Sequence, residues 1–396
     1  MPERARRPIA VTLAYYIGFI ALGLTTASLG PTLPGLAEQT QTRLSEISLL
    51  FTARSFGYLL GSLLSGRLYD RFRGHLLLAC GLAGMAAALG MVPLMSVIAV
   101  LVAVLFVIGA MEGFLDVGAN TLIVWVHREK VGPFMNGLHF FFGFGAFLSP
   151  LLVAQTVLWS GGIAGAYWAL AALIIPIAMA IGRLPSPPIL RGRTAGGETE
   201  RMPYRVVGLT ALFFFLYVGA EVGFAGWIFT YVTQLRLADE TTAALINSVF
   251  WGALTLGRLA SIPLAMRFSP RALLATDLIG GAISAGVMVA LPDQMPALWV
   301  GAFGLGLCMA SIFPTMLSLA GTRMPMTGKI NGIFFAASSA GGMSVPWLIG
   351  QLFERIGPQS LMWAILTSMA LASAMFVMLE RQAAPRGEAA HAAQRV

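Results

Sequence analysis

Three polar side chains recur at four-residue intervals inside one apolar stretch of the chain, namely Glu112, Asp116 and Asn120. On an α-helix this spacing places all three on nearly one face. Gly109 and Gly113 share that face, so a neighbouring helix or a ligand can approach it closely. A charge at membrane depth costs at least about 2.5 kcal/mol on insertion scales, so two carboxylates there need a reason. We interpret the three polar residues as a site for a coupling ion, H⁺ or Na⁺, or for a substrate. A structural ion pair with a neighbouring helix is the alternative.

Seven further polar or aromatic residues in apolar stretches are candidates for binding a polar solute. A carboxylate beside aromatic rings suits a sugar, because hydroxyls hydrogen-bond the acid while the C–H face of the sugar stacks on a ring. Packing between helices, or an aromatic belt at the membrane surface, would also explain several of them. The predicted substrate-binding residues are Asn136, His139, Glu221, Trp227, Asn247, Trp251 and Asn331.

Two arginines lie deep in apolar stretches and require partners. Arg258 and Asp277 lie at similar depth from the same end of consecutive stretches, which predicts a structural ion pair between them. Arg54 has no such partner nearby in the sequence. It could face a cavity near Glu112, or its side chain could extend toward the membrane surface.

The composition indicates an integral membrane protein. Hydrophobic residues make up 57% of the 396 positions and charged residues only 11%, where a soluble protein carries about 25% charged residues. Each apolar stretch is long enough to cross a bilayer as a helix, which predicts an all-α polytopic membrane protein of twelve transmembrane helices. The stretches are 8–33, 45–66, 76–94, 97–126, 133–156, 162–182, 205–232, 241–266, 271–291, 296–321, 329–350 and 358–379.

The formal net charge of +8 is explained by membrane topology. Of the 25 Lys and Arg residues, 20 lie in the termini and in the loops that follow even-numbered stretches. Cytoplasmic loops carry such an excess, so both termini are predicted to be cytoplasmic, in a bacterial inner membrane. The expected partners are the lipid bilayer and a small-molecule solute; no nucleic acid is expected, and the chain is expected to be a monomer.

The chain divides into two halves. A polar stretch rich in Pro, Gly and Arg predicts a cytoplasmic linker at 185–204, between six-helix bundles at 1–184 and 205–396. Asn136 and Gly137 at the start of the fifth apolar stretch recur 195 residues later at the start of the eleventh. Two pseudo-symmetric bundles of this kind, with a site between them, are the plan of many secondary transporters.

The two halves differ at the acids. Aligning Gly109 with Gly306 places Met309 opposite Glu112 and Phe313 opposite Asp116. The acids therefore belong to the N-terminal half alone. A role in packing only would be expected in both halves, which favours a functional role.

The loop after the second apolar stretch reads GRLYDRFRG at 66–74. It resembles the GxLxDRxGxR/K loop motif of the major facilitator superfamily, with the second glycine shifted by one position. The resemblance implies the major facilitator fold and a conformational latch, in which the aspartate contacts a helix end of the opposite half in the outward-facing state. A carboxylate near a helix N-terminus is stabilised by the helix dipole. We assign Gly66, Asp70 and Arg71 to this latch.

A narrower resemblance concerns sugar carriers. LDVGAN at 115–120 resembles the acid-x-x-Ala-Asn segment in the fourth helix of fucose–galactose–glucose symporters, and the sodium-dependent glucose transporter-like branch is similar at three further stretches. The resemblance implies a monosaccharide substrate and makes Asp116 the carboxylate implicated in proton coupling. Those symporters carry a further acid in the first helix, whereas residues 15–28 have none, so H⁺ and Na⁺ both stay open. The three stretches are PFMNGLHFFFGFGAF at 133–147, YVGAEVG at 217–223 and FWGALTLGR at 250–258.

These features predict a secondary active transporter rather than an enzyme, with no cofactor other than the coupling ion and no bound metal. The favoured activity is movement of a monosaccharide by alternating access, coupled to H⁺ or Na⁺. Two alternatives are a proton-coupled exporter of amphipathic compounds or drugs, with an aromatic cavity, and a transporter-like sensor that binds its ligand without moving it.

Overall fold

The computed structural model describes residues 3–188, 204–324 and 326–393. Within these ranges the regular elements are all helices. They are α1 (Glu3–Gln39), α2 (Leu44–Ile47), α3 (Leu49–Tyr69), α4 (Gly74–Met91), α5 (Ile98–His127), α6 (Val131–Ser160), α7 (Ala164–Gly182), α8 (Tyr204–Gln234), α9 (Glu240–Arg267), α10 (Pro270–Ala290), α11 (Met295–Met309), α12 (Ile312–Gly321), α13 (Gly328–Ile356) and α14 (Ser360–Ala393), with short 3₁₀ turns at Val92–Leu94 and Arg128–Lys130.

The described helices make twelve membrane crossings. Eleven stretches are long and apolar enough to span a bilayer, and one of them, Ile98–Ser160, has 63 residues. This stretch contains both α5 and α6, each of 30 residues, which at 1.5 Å per residue gives about 45 Å and one crossing apiece. The predicted twelve-helix architecture is confirmed. An even number of crossings returns the chain to the face where it began, which we call the termini face; the opposite side is the far face.

Two close helix pairings repeat between the halves, and the first joins α3 to α5 and α9 to α11. A Cβ added at Gly109 would overlap the carbonyl oxygen of Arg54, and one added at Gly306 would overlap that of Phe250. The equivalent residues are 197 and 196 positions apart. Glycine at these positions lets the two backbones touch, as in other membrane helix pairs.

The second repeated pairing joins α1 to α6 and α8 to α13. A Cβ at Gly145 would overlap the carbonyl oxygen of Ile20, and one at Gly341 would overlap that of Phe215. These positions are again 196 and 195 residues apart. The same backbone contacts thus occur in both halves, as the predicted pseudo-symmetry requires.

The halves meet at the far face. All hydrogen bonds between the two halves in the described part of the chain lie in the far-face part of α2, α3 and α13. The backbone N–H and hydroxyl of Ser45 donate to the carboxylate of Glu354 at 3.1 and 2.7 Å, and Gln351 Nε2 donates to the Ser45 carbonyl at 2.7 Å. The space between the halves is therefore closed at the far face.

The predicted linker at 185–204 lies mostly outside the described residues, which resume at 204. Before that gap, the segment after α7 is anchored to the N-terminal half. The His75 backbone N–H donates to Ser186 Oγ at 3.0 Å, and His75 Nδ1 lies 3.1 Å from the Leu184 carbonyl oxygen.

Candidate functional site

The acidic face of α5 packs against α3, and the two helices run parallel. Arg54 and Tyr58 lie one turn apart on α3 and contact Glu112 and Asp116, which lie one turn apart on α5. Both contacts join residues 58 positions apart, as parallel helices require. Gly113 also lies directly against the Tyr58 carbonyl, so the absence of a side chain there lets the two helices bring their polar groups together.

Arg54 and Glu112 form a buried, bidentate ion pair. Arg54 Nε lies 2.7 Å from Glu112 Oε2, and a second contact joins Nη2 to Oε1. Two further N–H groups of Arg54 donate to the carbonyls of Thr26 and Thr25 at 3.0 and 3.1 Å, and the Thr26 hydroxyl donates to Glu112 Oε1 at 3.0 Å. The side chains are 11% and 4% exposed. Because nearly every polar atom of this pair has a partner, it is a fixed structural element of the N-terminal half.

Asp116 is held by hydrogen bonds from uncharged donors. Tyr58 donates its hydroxyl proton to Asp116 Oδ2, and Asn120 Nδ2 donates to Oδ1 at 2.8 Å and to the Asp116 carbonyl at 2.8 Å. Asp116 is half-buried. Its carboxylate therefore has no ion-pair partner within 4 Å among the described residues, unlike Glu112 one turn away.

The acidic partner of Arg258 is Glu221 on α8. A guanidinium nitrogen of Arg258 lies 4.0 Å from Glu221 Oε1, with side chains 30% and 15% exposed. The predicted pair of Arg258 with Asp277 is wrong. Asp277 instead accepts a hydrogen bond from Ser311, at the break between α11 and α12. Similar depth in the membrane did not imply contact, because the break in the tenth crossing supplies its own donor to Asp277.

Helices α6 and α9 bring the polar groups of the two halves together. Gly143 on α6 lies directly against Thr255 on α9. One turn toward the termini face, α6 carries His139 and α9 carries Arg258, so antiparallel packing places these two side chains at the same level. Arg258 is close enough for its charge to act on both Asp116 and His139. A cation of the C-terminal half thus faces a carboxylate and an exposed imidazole of the N-terminal half.

Comparison with known proteins is consistent with this arrangement. The family model described as "Major Facilitator Superfamily" matches residues 15–346. The chain belongs to the major facilitator superfamily. Sodium-dependent glucose transporter 1 of Xenopus laevis is 32% identical, covering 91% of this chain and 79% of the relative. Sodium-dependent glucose transporter 1A of Mus musculus is 29% identical, covering 85% and 88%.

Solved structures share the fold at low sequence identity. The nucleoside transporter NupG aligns with a TM-score of 0.76 at 13% identity, covering 94% of this chain and 99% of that one. A bacterial homologue of the human lysosomal transporter Spinster, in an inward-facing and unoccupied conformation, aligns with a TM-score of 0.73 at 12% identity, covering 96% and 98%. The likeness shows that this chain has the major facilitator fold.

Two predicted substrate residues, Trp227 and Asn247, are fully buried and donate to backbone carbonyls. Trp227 is fully buried, donates Nε1–H to the Pro346 carbonyl at 2.9 Å, and packs on Phe51 and Phe353. Asn247 is also fully buried and donates Nδ2–H to the Ala225 carbonyl at 2.9 Å.

The predicted Asn136 and Asn331 make no hydrogen bond to Asp116 among the described residues. Asn136 lines an open, largely apolar groove of about 290 Å³ between α6 and α9, together with Phe140 and Leu259. Asn331, near the start of α13, is half-buried and its Oδ1 has no hydrogen-bond partner among the described residues. The polar cluster between the halves therefore consists of Asp116, His139, Glu221 and Arg258, with Tyr58 and Asn120 as hydrogen-bond donors.

The predicted latch is not engaged in this structure. Asp70 and Arg71 are exposed, and a Cβ added at Gly66 would have no neighbour within 4 Å. The hydrogen bonds between the halves lie at the far face, so a latch that works when the termini face is closed stays a prediction.

Sequence reasoning missed Tyr58 as the donor to Asp116 and left the position of Arg54 open. A usable signal was present. Arg54 and Tyr58 repeat the four-residue spacing of Glu112 and Asp116, and Gly57 and Gly61 on α3 repeat the glycine spacing of α5. Two helices with matched glycine and polar spacing are complementary over two turns.

Proposed function

We propose that this protein is a secondary transporter of a monosaccharide, working by alternating access with a monovalent cation as the coupling ion. The observation that carries the proposal is the polar cluster between the halves. It combines a carboxylate without a charged partner, Asp116, with a loose ion pair, Glu221 and Arg258, at middle membrane depth. The relatives named as sodium-dependent glucose transporters support the substrate class.

The loose ion pair suits a polyhydroxyl ligand. At 4.0 Å the Arg258 and Glu221 charges attract each other without a direct hydrogen bond, which leaves donors on the guanidinium and acceptors on the carboxylate. A sugar hydroxyl both donates and accepts, so adjacent hydroxyls can satisfy both side chains at once. The fully bonded Arg54–Glu112 pair has no such capacity.

Asp116 is the proposed coupling group. The cluster contains two carboxylates, Asp116 and Glu221, and a single arginine, Arg258. One negative charge is therefore left to be neutralised when the site is enclosed. A proton on Asp116, or a Na⁺ held by its oxygens, would supply that charge, and both cations are admissible. We assign Glu112 to structure rather than coupling, because Arg54 already neutralises it.

The test is uptake of radiolabelled glucose into proteoliposomes, with H⁺ and Na⁺ gradients imposed separately. We expect accumulation with one of the two gradients and not with the other. Asp116→Asn should abolish accumulation and keep counterflow exchange, because the neutral amide can accept from Asn120 and donate to the Tyr58 hydroxyl oxygen but cannot carry the cation. Asp277→Asn is the matched control, a membrane acid bonded to Ser311 outside the cluster, and should keep accumulation.

Two results would contradict the proposal. If Asp116→Asn accumulates glucose like the wild type, the coupling group lies elsewhere. If the wild type takes up no monosaccharide but expels amphipathic dyes, the exporter alternative is correct; binding without movement would support a sensor.

We also propose that the termini face is cytoplasmic, in a bacterial inner membrane. The distribution of Lys and Arg supports this orientation. The conformation described above would then be open to the cytoplasm, with the solute site reached past His139.

A further inference from the structure

Trp251 carries a buried hydrogen-bond donor without a partner. Its side chain is 6% exposed, and its Nε1–H has no acceptor among the described residues. An indole N–H can only donate, and leaving a buried donor unpaired destabilises the protein. Buried tryptophans normally find an acceptor, so this one needs an explanation.

The contrast with Trp227 shows that the fold can satisfy such a group. Trp227 is equally enclosed, on the neighbouring α8, and its Nε1–H donates to the Pro346 carbonyl at 2.9 Å. A backbone carbonyl oxygen has two lone pairs, so the Pro346 carbonyl can accept this bond although it lies within the α13 helix. No such acceptor reaches Trp251 in the described chain.

Trp251 faces the space between the two halves. On α9 it shares one face with Thr255 and Arg258, four and seven residues further along. Thr255 lies against Gly143, and the Trp251 ring meets Phe142 of α6 edge-on, with ring centroids 6.4 Å apart. Trp251 is thus about 10 Å from Arg258 along α9, toward the closed far face.

An unpartnered acceptor lies one turn away on the same face. Asn247 Oδ1 is buried and has no donor within the described residues. The amide orientation is fixed, since Nδ2 must face the Ala225 carbonyl. Among the described residues, α9 therefore carries one unpaired buried donor and one unpaired buried acceptor a single turn apart, the complement of a hydroxyl group.

We propose that Trp251 Nε1–H is the donor to one particular hydroxyl of the transported solute, which makes Trp251 a determinant of specificity. This rests on the proposed function, since it assumes a sugar as the solute. The hydroxyl accepts from Trp251, with Asn247 Oδ1 as its acceptor, while the rest of the ring reaches Glu221 and Arg258. A solute without that hydroxyl leaves the indole unpaired and binds more weakly.

The experiment compares the wild type with Trp251→Phe. For each protein, glucose and every mono-deoxyglucose are measured as competitors of radiolabelled glucose uptake. For the wild type we expect one deoxy analogue to compete about tenfold less well than glucose. For Trp251→Phe we expect glucose itself to weaken by about tenfold and that same analogue to compete as well as glucose. The phenyl ring keeps the contact with Phe142, so only the donor is removed.

Trp227→Phe is the matched control. It removes an indole N–H that already has a backbone acceptor, so it should lower the thermal unfolding temperature and leave the ranking of deoxy analogues unchanged. If Trp251→Phe does not fold, Trp251→Tyr keeps an aromatic ring while relocating the donor, and should likewise change the ranking.

The outcomes separate the two proposals. If the wild type takes up glucose and Trp251→Phe ranks the analogues as the wild type does, the role of Trp251 is wrong and the proposed function stands. If the wild type takes up no monosaccharide, the proposed function is wrong and this proposal falls with it.

Discussion

The α3–α5 pairing of the N-terminal half and the α9–α11 pairing of the C-terminal half share a backbone contact and differ in their side chains. Gly109 touches the Arg54 carbonyl in one, and Gly306 touches the Phe250 carbonyl in the other. At the positions where the first pairing has Arg54 and Glu112, the second has Phe250 and Met309, which are both fully buried. Close packing of these helices therefore does not require an ion pair, and the Arg54–Glu112 pair is a structural element of the N-terminal half alone.

The two arginine–glutamate pairs show a second difference. Arg54–Glu112 joins two helices of one half, is bidentate, and is almost wholly buried. Arg258–Glu221 borders the space between the halves, at 4.0 Å and with 30% of the arginine side chain exposed. The first has the geometry of a rigid support, whereas the second can exchange partners when a ligand enters.

The largest expected effect is from breaking the buried pair. Arg54→Met leaves Glu112 enclosed without a counter-charge and should destabilise the fold by about 3–5 kcal/mol. Thermal unfolding in detergent, followed by fluorescence, measures the loss.

The double variant Arg54→Phe, Glu112→Met copies the C-terminal half and provides the control. Replacing a buried pair with apolar residues is often neutral, so we expect most of the lost stability to return. A double variant as unstable as Arg54→Met alone would show that the halves are not interchangeable here.

The shared backbone contact should respond alike in both halves. Gly109→Ala and Gly306→Ala each place a methyl group against a carbonyl oxygen, and overpacking of this kind costs about 1–3 kcal/mol. Gly132→Ala, where a Cβ would have no neighbour within 4 Å, is the matched control. If only Gly109→Ala were destabilising, the repeat would be sequence similarity without equivalent packing.

Breaking the loose pair should affect transport far more than stability. Arg258→Gln removes a partly exposed charge 4.0 Å from its partner, and such pairs contribute about 0–1 kcal/mol. We expect a nearly unchanged unfolding temperature together with loss of glucose accumulation in proteoliposomes. A large fall in stability would show that the Arg258–Glu221 pair supports the fold, as the Arg54–Glu112 pair does.

The smallest effect concerns the far-face ends of the second and eighth crossings. Asp239 caps α9 by accepting from the Thr242 backbone N–H at 2.9 Å, while the equivalent Arg43 donates its backbone N–H and a guanidinium N–H to the Glu46 carboxylate of α2 at 3.0 and 3.3 Å. The hydrogen bonds from Thr242 lower the pKa of Asp239. Its contribution is therefore complete above the ordinary carboxyl pKa of about 3.9 and lost as the pH falls through the lower folded value.

Asp239→Ala should lower the unfolding temperature slightly at pH 7, and the difference from wild type should shrink at strongly acidic pH. Arg43→Ala should also have an effect that fades at strongly acidic pH, because the hydrogen bonds from Arg43 lower the pKa of Glu46. An equal effect of Asp239→Ala at all pH values would contradict the capping role.

Much of the fold could be predicted because it depends on properties that the sequence states directly. The apolar stretches give the crossings, since nothing shorter spans the bilayer. The glycine spacing of α5 correctly indicated a close neighbour, and the recurrence near Asn136 and Asn331 indicated the repeat.

The partners of the deep charges could not be predicted with the same success, because they depend on helix rotation. Arg258 was assigned to Asp277 from similar depth, but the two face different neighbours, Glu221 and Ser311. In the sequence, Trp227 looks the same as a tryptophan that binds sugar. Only the structure, in which its indole N–H donates to the Pro346 carbonyl, shows that it packs between helices.

The Arg54–Glu112 pair also has a consequence for how the protein enters the membrane. Glu112 alone would make α5 a poor candidate for release into lipid, and Arg54 would do the same for α3. The charge on each helix is neutralised only when α3 and α5 lie side by side. Because α4 lies between them in the sequence, it must be made before they can pair. We therefore expect the second, third and fourth crossings to be retained by the insertion machinery and released into the bilayer together as one unit.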